Sequence, residues 1–363
     1  MHTTWQTFLQ DQGATLGEQG QVISWGQPEL ERVMVKHGPV RASLAHQGLI
    51  QVSGEDAFTF LQSQLTNDLN EVSDTHAQLS ALCDPKGQLL AIFNVFKHHQ
   101  AWYLQLDASL VEPILKRLNM YKLRSQVELT DVSDQWIQIG FAGEFADLAL
   151  QRALDTKIKT LFEVQPLALD STDQTTDSQA PCLGIKLPGP YHRYLLVAPP
   201  EQAIDIWRAL EGSGEATNDQ DWQLLDVVSG QPSVNQTTSG QWIAQFLNLD
   251  KLDAINFRKG CFPGQEVIAR LHFRGKVAKR MVRVHLSHAD PMPEIGETIK
   301  VFDQNNKSFK LTLVNLAPDI EAGLVCLAVT TLKPLETAQA PLVDAQGHTA
   351  TIEPLPYEVL SQD

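Results

Sequence analysis

The fifteen residues Asn256–Arg270, NFRKGCFPGQEVIAR, constrain the fold more than any other stretch of the 363-residue chain. Gly260 and the Pro263-Gly264 pair impose a turn that brings the backbone close to something, because glycine tolerates positive φ and carries no Cβ. Val267, Ile268 and Leu271 then follow at helical spacing, so the turn opens a helix. Cys261 lies two residues from Lys259 and close to that helix start. Both features favour thiolate over thiol and make Cys261 a candidate reactive group. The competing reading is a small buried hydrophobe packed beside a tight turn, and the spacing leaves both open.

Charge bounds the partners. With 28 Lys+Arg against 43 Asp+Glu, the formal net charge is −15. That balance disfavours a general nucleic-acid binder, and no direct nucleic-acid contact is expected. One stretch departs from the average. Arg258, Lys259, Arg270, Arg274, Lys276, Lys279, Arg280 and Arg283 face a single acid, Glu266, between positions 258 and 283. Such a run receives an anion or is a solvated face.

The length allows about two or three domains with sizeable cores. No uninterrupted apolar run approaches the ~20 residues needed to cross a bilayer, so no membrane partner is expected. The start, MHTTWQTFLQDQGATLG, lacks the basic and apolar regions of a secretory signal. Cys83, Cys182, Cys261 and Cys326 form no CxxC pair. This argues against a zinc ribbon, a metal centre or a disulfide scaffold and fits a reducing, cytoplasmic setting.

Local patterns point to α+β architecture. Leu49–Val52 reads as a short strand. Ser53-Gly54-Glu55-Asp56 reads as the cap of a helix whose stripe is Phe58, Leu61, Leu65 and Leu69. Residues 88–96 and 101–106 read as a hairpin turning at 98–100. Ser109 and Glu112 suggest a capped helix to about Tyr121. From Trp136, the alternation of Ile137, Ile139 and Phe141 suggests a half-buried strand. Asp170–Gln179 reads as a polar loop, and Pro199-Pro200 opens a helix bearing Ala203, Ile204, Trp207 and Leu210. Glu211–Asp221 is small and polar, a plausible boundary. Beyond Lys279, short alternating strands punctuated by Pro and Gly suggest a small β-barrel.

There is no P-loop, dinucleotide fingerprint, HExxH or GxSxG. Resemblance takes the reading further. Lys259–Glu266, KGCFPGQE, resembles the signature of the YgfZ family, whose folate-binding, tRNA-modifying members are related to the glycine-cleavage aminomethyltransferase. Phe246–Asp250, Phe273–Lys276, Lys279-Arg280, Val52–Asp56, Leu65–Asp68, Cys83–Gly87 and Ile352–Tyr357 are similar to further family stretches.

The resemblance implies a three-lobed ring, with two α+β lobes of ferredoxin-like elements and a C-terminal β-barrel around a folate site. The lobes would be 30–133 with 223–278, then 134–222, then 279–363. It implies folate, as tetrahydrofolate or a derivative, for the cofactor. The role implied is accessory to iron–sulfur enzymes, including those that modify tRNA. Rival readings are a tetrahydrofolate-dependent aminomethyl or methyl transferase, and a docking scaffold with incidental folate binding. By the same resemblance Trp222 holds the pterin, and Gln47 stands where the family has a second tryptophan. Lys259, Cys261, Gln265 and Glu266 join the site, with the basic run holding the folate tail. The transferases carry an Asp pair after a glycine near residue 87. Here Gly87 is followed by Gln88-Leu89-Leu90-Ala91, so aminomethyl transfer lacks its proton-handling carboxylate. Asp84 and Asp68 remain nearby, Asp84 more simply as a turn cap.

Overall fold

The computed structural model describes residues 1–168, 182–288, 291–332 and 341–359. The expected polar loop at Asp170–Gln179 lies outside them. The chain forms two compact units: Met1–Ala57, Asn70–Gln78 and Asn94–Trp222 make the first, and Phe58–Leu69, Leu79–Phe93 and the chain from Gln223 onward make the second.

The first unit is built on a six-stranded sheet ordered Val164–Pro166, Leu183–Leu187, His192–Ala198, Ile137–Gly143, Val40–Ser43, Glu215–Thr217. All its pairings are antiparallel except the last, where Glu215–Thr217 runs parallel to Val40–Ser43. On one face Ile137, Ile139 and Phe141 pack with Trp5, Leu9, Leu150, Ile206 and Trp207 from the helices Thr3–Asp11, Ala146–Leu154 and Pro200–Ala209. The strand Ile137–Gly143 is buried at every position, not half-buried as its alternation suggested. Its other face carries Gln138 and Gly140, and the Trp222 ring covers Gly140 so closely that a Cβ there would lie 2.5 Å from it. Glu211–Asp221, read as a boundary, lies just before the division of the two units at Trp222 and Gln223 and is itself structured. It supplies the strand Glu215–Thr217 and the start of the helix Asp219–Val228. Its small polar residues are buried because Asn218 and Thr217 donate to Asp221, Asn218 also to Glu31, and Arg32 pairs with Asp221 at 3.2 Å. Burial raises the Asp221 carboxyl above its usual range despite these donors.

The same unit holds an antiparallel array in which Ala101–Asp107 pairs with the end of Leu89–His98 on one side and Gln47–Ser53 on the other, followed by Glu128–Asp131. The hairpin turns through His99 and Gln100, both at positive φ (46° and 65°), as a two-residue type I′ loop requires. The following helix, Val111–Tyr121, is led by a 3-10 turn whose cap is Asp107, not Ser109; Asp107 accepts the Ser109 N–H at 3.0 Å.

In the second unit the helix Ala57–Gln64 is shorter than its apolar spacing suggested. Phe58 is exposed, while Phe60 and Leu61 are buried; Leu65 and Leu69 are buried beyond the helix end. The C-terminal strands close into a barrel ordered Lys279–Leu286, Leu324–Thr331, Ser308–Pro318, Thr298–Phe302, Leu342–Val343, Thr349–Glu353. Val284, Val301, Phe309, Leu311, Leu313 and Cys326 fill it. Closure removes the unpaired edges that an open sheet of these strands would expose. The α+β reading and the C-terminal barrel are both present. Among the described residues no helix is long and apolar enough to cross a membrane.

Candidate functional site

The KGCFPGQE segment belongs to the second unit, where it closes onto two stretches far back in sequence. Asn256 Oδ1 accepts the N–H groups of Arg258 and Lys259 at 2.8 and 3.0 Å, which turns the chain inward. The buried Lys259 ammonium then donates to Gln62 O (2.8 Å), Leu65 O (2.7 Å) and Asn67 O (2.8 Å). These carbonyls end or follow the helix Ala57–Gln64 and have no further helical turn to accept from. An ammonium has three N–H groups, and all three are spent. Burial lowers the Lys259 pKa to about 8, opposed in part by Asp68. Thr66 and Asn67 complete the seam: Thr66 Oγ1 donates to Ala254 O at 2.7 Å, and Asn67 Nδ2 to Asp253 O at 2.7 Å. Lys259 is therefore a strut, and its cation is not free to hold a folate tail.

Gly264, at φ +81°, meets the turn Asp84–Gly87. A Cβ on it would lie 2.5 Å from Asp84 O and 2.6 Å from Gly87 Cα. Asp84 caps that turn by accepting from Lys86 N and Gln88 N at 2.8 and 2.9 Å. Asp68 accepts from Gln62 at 2.8 Å. The strand after Gly87, Leu89–His98, carries no acid. Within the segment Phe262 is buried along with Lys259, while Cys261 is exposed with a free thiol. That overturns the reading of Cys261 as a buried hydrophobe. The other three cysteines are buried, and burial pushes each thiol up to about 12. Gln265 is half-buried; Glu266 is exposed and pairs with Arg270 at 3.1 Å.

Gln47 and Trp222 belong to the first unit. Trp222 is 2% exposed, with its ring against Gly140 and the Arg193 guanidinium 4.8 Å from its centroid. Gln47 is half-buried and lines a cleft of about 150 Å³ with Trp5, Ser43, Trp136 and Gln138. Trp222 does not line it. His46 Nδ1 meets Asp219 Oδ2 at 2.9 Å, which ties the residue before Gln47 to the helix of Trp222. A cavity of roughly this volume has room for one aromatic ring, less than a whole folate. Its lining of indoles and amides suits a flat heteroaromatic head. The Gln47 side chain makes no hydrogen bond within the described residues, so its amide is available to such a ring.

Sequence reasoning missed the groups that orient this cleft. Asn94 donates to Gln105 (2.7 Å), Gln105 to Gln138 (2.7 Å) and Gln138 to the carbonyl of Gln47 (3.2 Å). This amide chain crosses between two sheets, with Gln105 and Gln138 both buried. Trp136 is held edge-on by His98 (5.6 Å) and Tyr103 (6.0 Å). Burial lowers the His98 pKa to about 4, so a neutral ring backs the indole. The one signal in the sequence was a glutamine inside the apolar strand Leu104-Gln105-Leu106.

A family model described as the GCVT N-terminal domain matches residues 28–167. The tRNA-modifying protein YgfZ of Klebsiella pneumoniae (strain 342) is 31% identical over 311 residues, covering 86% of this chain and 90% of that protein. Its namesake in Escherichia coli O157:H7 is 30% identical over 312 residues, covering 86% and 91%. Among solved structures, the glycine cleavage system aminomethyltransferase T from Bartonella henselae aligns over 98% of this chain and 97% of its own. The TM-score is 0.77 at 13% identity, which shows a common fold. With near-complete coverage by the YgfZ proteins and the KGCFPGQE segment seated on its Leu65–Asn67 and Asp84–Gly87 partners, the chain belongs to the YgfZ family.

Proposed function

We propose that this protein binds a reduced folate and serves as an accessory factor for iron–sulfur enzymes, and through them for tRNA modification. The observation that carries the reading is an aminomethyltransferase fold whose strand after Gly87 has no carboxylate. Such a scaffold retains a place for folate and lacks the group that would move protons at it. The iron–sulfur link rests on the family resemblance, and four free thiols suit a reducing, cytoplasmic compartment.

Within the first unit, we place the pterin head at the cleft, where Gln47 offers its amide and Trp136 its ring. Trp222, buried beneath Arg193, supports that site through the helix Asp219–Val228. Cys261, Gln265 and Glu266 remain the candidate reactive and binding groups of the second unit. The test is a titration of the full chain with tetrahydrofolate, read by tryptophan emission. Trp136→Phe removes most of the quenching and Trp222→Phe leaves most of it. Saturating folate that neither quenches emission nor raises the melting temperature refutes the reading. Methylene-folate formed at enzyme-like rates from an aminomethyl-lipoyl donor promotes the transferase instead.

A further inference from the structure

The eight basic residues between Arg258 and Arg283 separate into two groups. Three are committed to the fold. Lys259 is buried on its carbonyls, Arg280 pairs with Asp250 at 2.5 Å, and Arg283 pairs with Glu353 at 2.9 Å. The other five, Arg258, Arg270, Arg274, Lys276 and Lys279, are exposed. Only Arg270 has an acidic partner among the described residues, the exposed Glu266.

Arg258 adjoins Phe257 in sequence, and Arg270, Arg274, Lys276 and Lys279 fall within six residues of Phe273; these rings belong to an aromatic group that the fold leaves in solvent. Phe257 stacks on His272 with centroids 3.8 Å apart and planes 14° apart. Phe273 meets both rings edge-on, at 6.0 and 4.7 Å, and is 67% exposed. The stack brings Arg258, the neighbour of Phe257, to the last turn of the helix Gln265–Phe273. Cations there also complement the helix dipole, which accounts for Arg270. It does not account for a phenylalanine two-thirds in water, or for Lys276 and Lys279 beyond the helix.

We propose that this face, formed by Arg258, Arg270, Phe273, Arg274, Lys276 and Lys279, docks single-stranded nucleic acid. Cations supply phosphate contacts and an exposed, backed aromatic supplies a platform for a base. An acidic chain gains specificity from such segregation, because the rest of its surface repels the same polyanion. The expectation of no nucleic-acid contact followed from the average charge, which hides this face. The inference does not rest on folate binding.

The probe is a fluorescein-labelled 20-nucleotide single-stranded RNA of mixed sequence, titrated with the full chain by anisotropy. Saturable binding is expected at low salt. The log–log salt slope should be roughly −3.5 if all five cations meet phosphates, at about −0.7 each. Arg274→Glu with Lys276→Glu should lower the slope magnitude by about 1.4. Phe273→Ala should weaken binding roughly tenfold with the slope unchanged. All three side chains are exposed, so melting temperatures and the tetrahydrofolate titration should stay at wild-type values, which separates failure here from failure of the folate reading. No saturable binding, or binding indifferent to these variants, overturns the proposal. A duplex of the same sequence binding as tightly leaves the aromatic without a role and also overturns it. Equal competition by poly-glutamate reassigns the face to an acidic peptide or tail.

Discussion

Lys259 acts as a helix cap from 197 residues away. Lys259→Met keeps the stem and leaves three buried carbonyls without a donor, at a cost of roughly 2–4 kcal/mol by chemical denaturation. The pH dependence has a definite sign. The folded-state pKa of about 8 lies below the ordinary 10.5, so between those values the unfolded chain holds more protons. The contribution of this group to stability therefore rises through that window and is lost as pH falls toward 8. The gap between wild type and Lys259→Met should widen from pH 7.5 to pH 10; a gap that narrows refutes the assignment. The cysteines give a second test at this scale. Only Cys261 is exposed, so brief native alkylation should add one label, located at Cys261 by peptide mass. Labels on Cys83, Cys182 or Cys326 before unfolding would contradict the burial that raises their thiols.

The turn at Pro263-Gly264 and the turn Asp84–Gly87 act as one element, because the second occupies the space a side chain on Gly264 would need. Gly264→Ala should destabilise by at least ~2 kcal/mol, from left-handed backbone and from contact with Asp84 O and Gly87 Cα. Gly260→Ala meets nothing within 4 Å and should be near neutral. Equal effects at both glycines would mean that the approach to Asp84–Gly87 is not what the motif is for. The close approach was legible beforehand, since glycine and proline act through their own backbone. What they approach was not, because Asp84 is 180 positions earlier and no local pattern names it. The same limit hid the role of Lys259, whose charge reads as a surface or ligand group until its three carbonyls are found. At Glu211–Asp221 the small polar composition marked a boundary, and the units divide just after it. That Asn218 and Asp221 are buried against Glu31 and Arg32 was not legible, because those partners lie about 190 positions earlier. Trp222 fits both a core and a ligand wall by sequence, and only Gly140 and Arg193 show what covers it.

Across the whole molecule, the two units make separate predictions about where a folate is felt. The cleft lies within the first unit, lined from Ser43–Gln47 and Trp136–Gln138. The amide chain through Gln105 backs it. A ligand at 100 times its dissociation constant stabilises the state it binds by about 2.7 kcal/mol. Amide exchange that proceeds by openings incompatible with the bound ring should slow accordingly. With saturating tetrahydrofolate, protection should rise in peptides covering residues 43–51, 101–107 and 136–142. Barrel peptides covering 308–331, whose core is closed by its own six strands, should exchange as before. Gln47→Trp fills part of the cleft with an aromatic ring and should tighten binding. If protection rises instead around 256–273 while residues 43–51 and 136–142 are unchanged, the folate is held by the KGCFPGQE segment. The cleft beside Gln47 would then be a packing gap, and Gln47→Trp should alter stability without altering affinity.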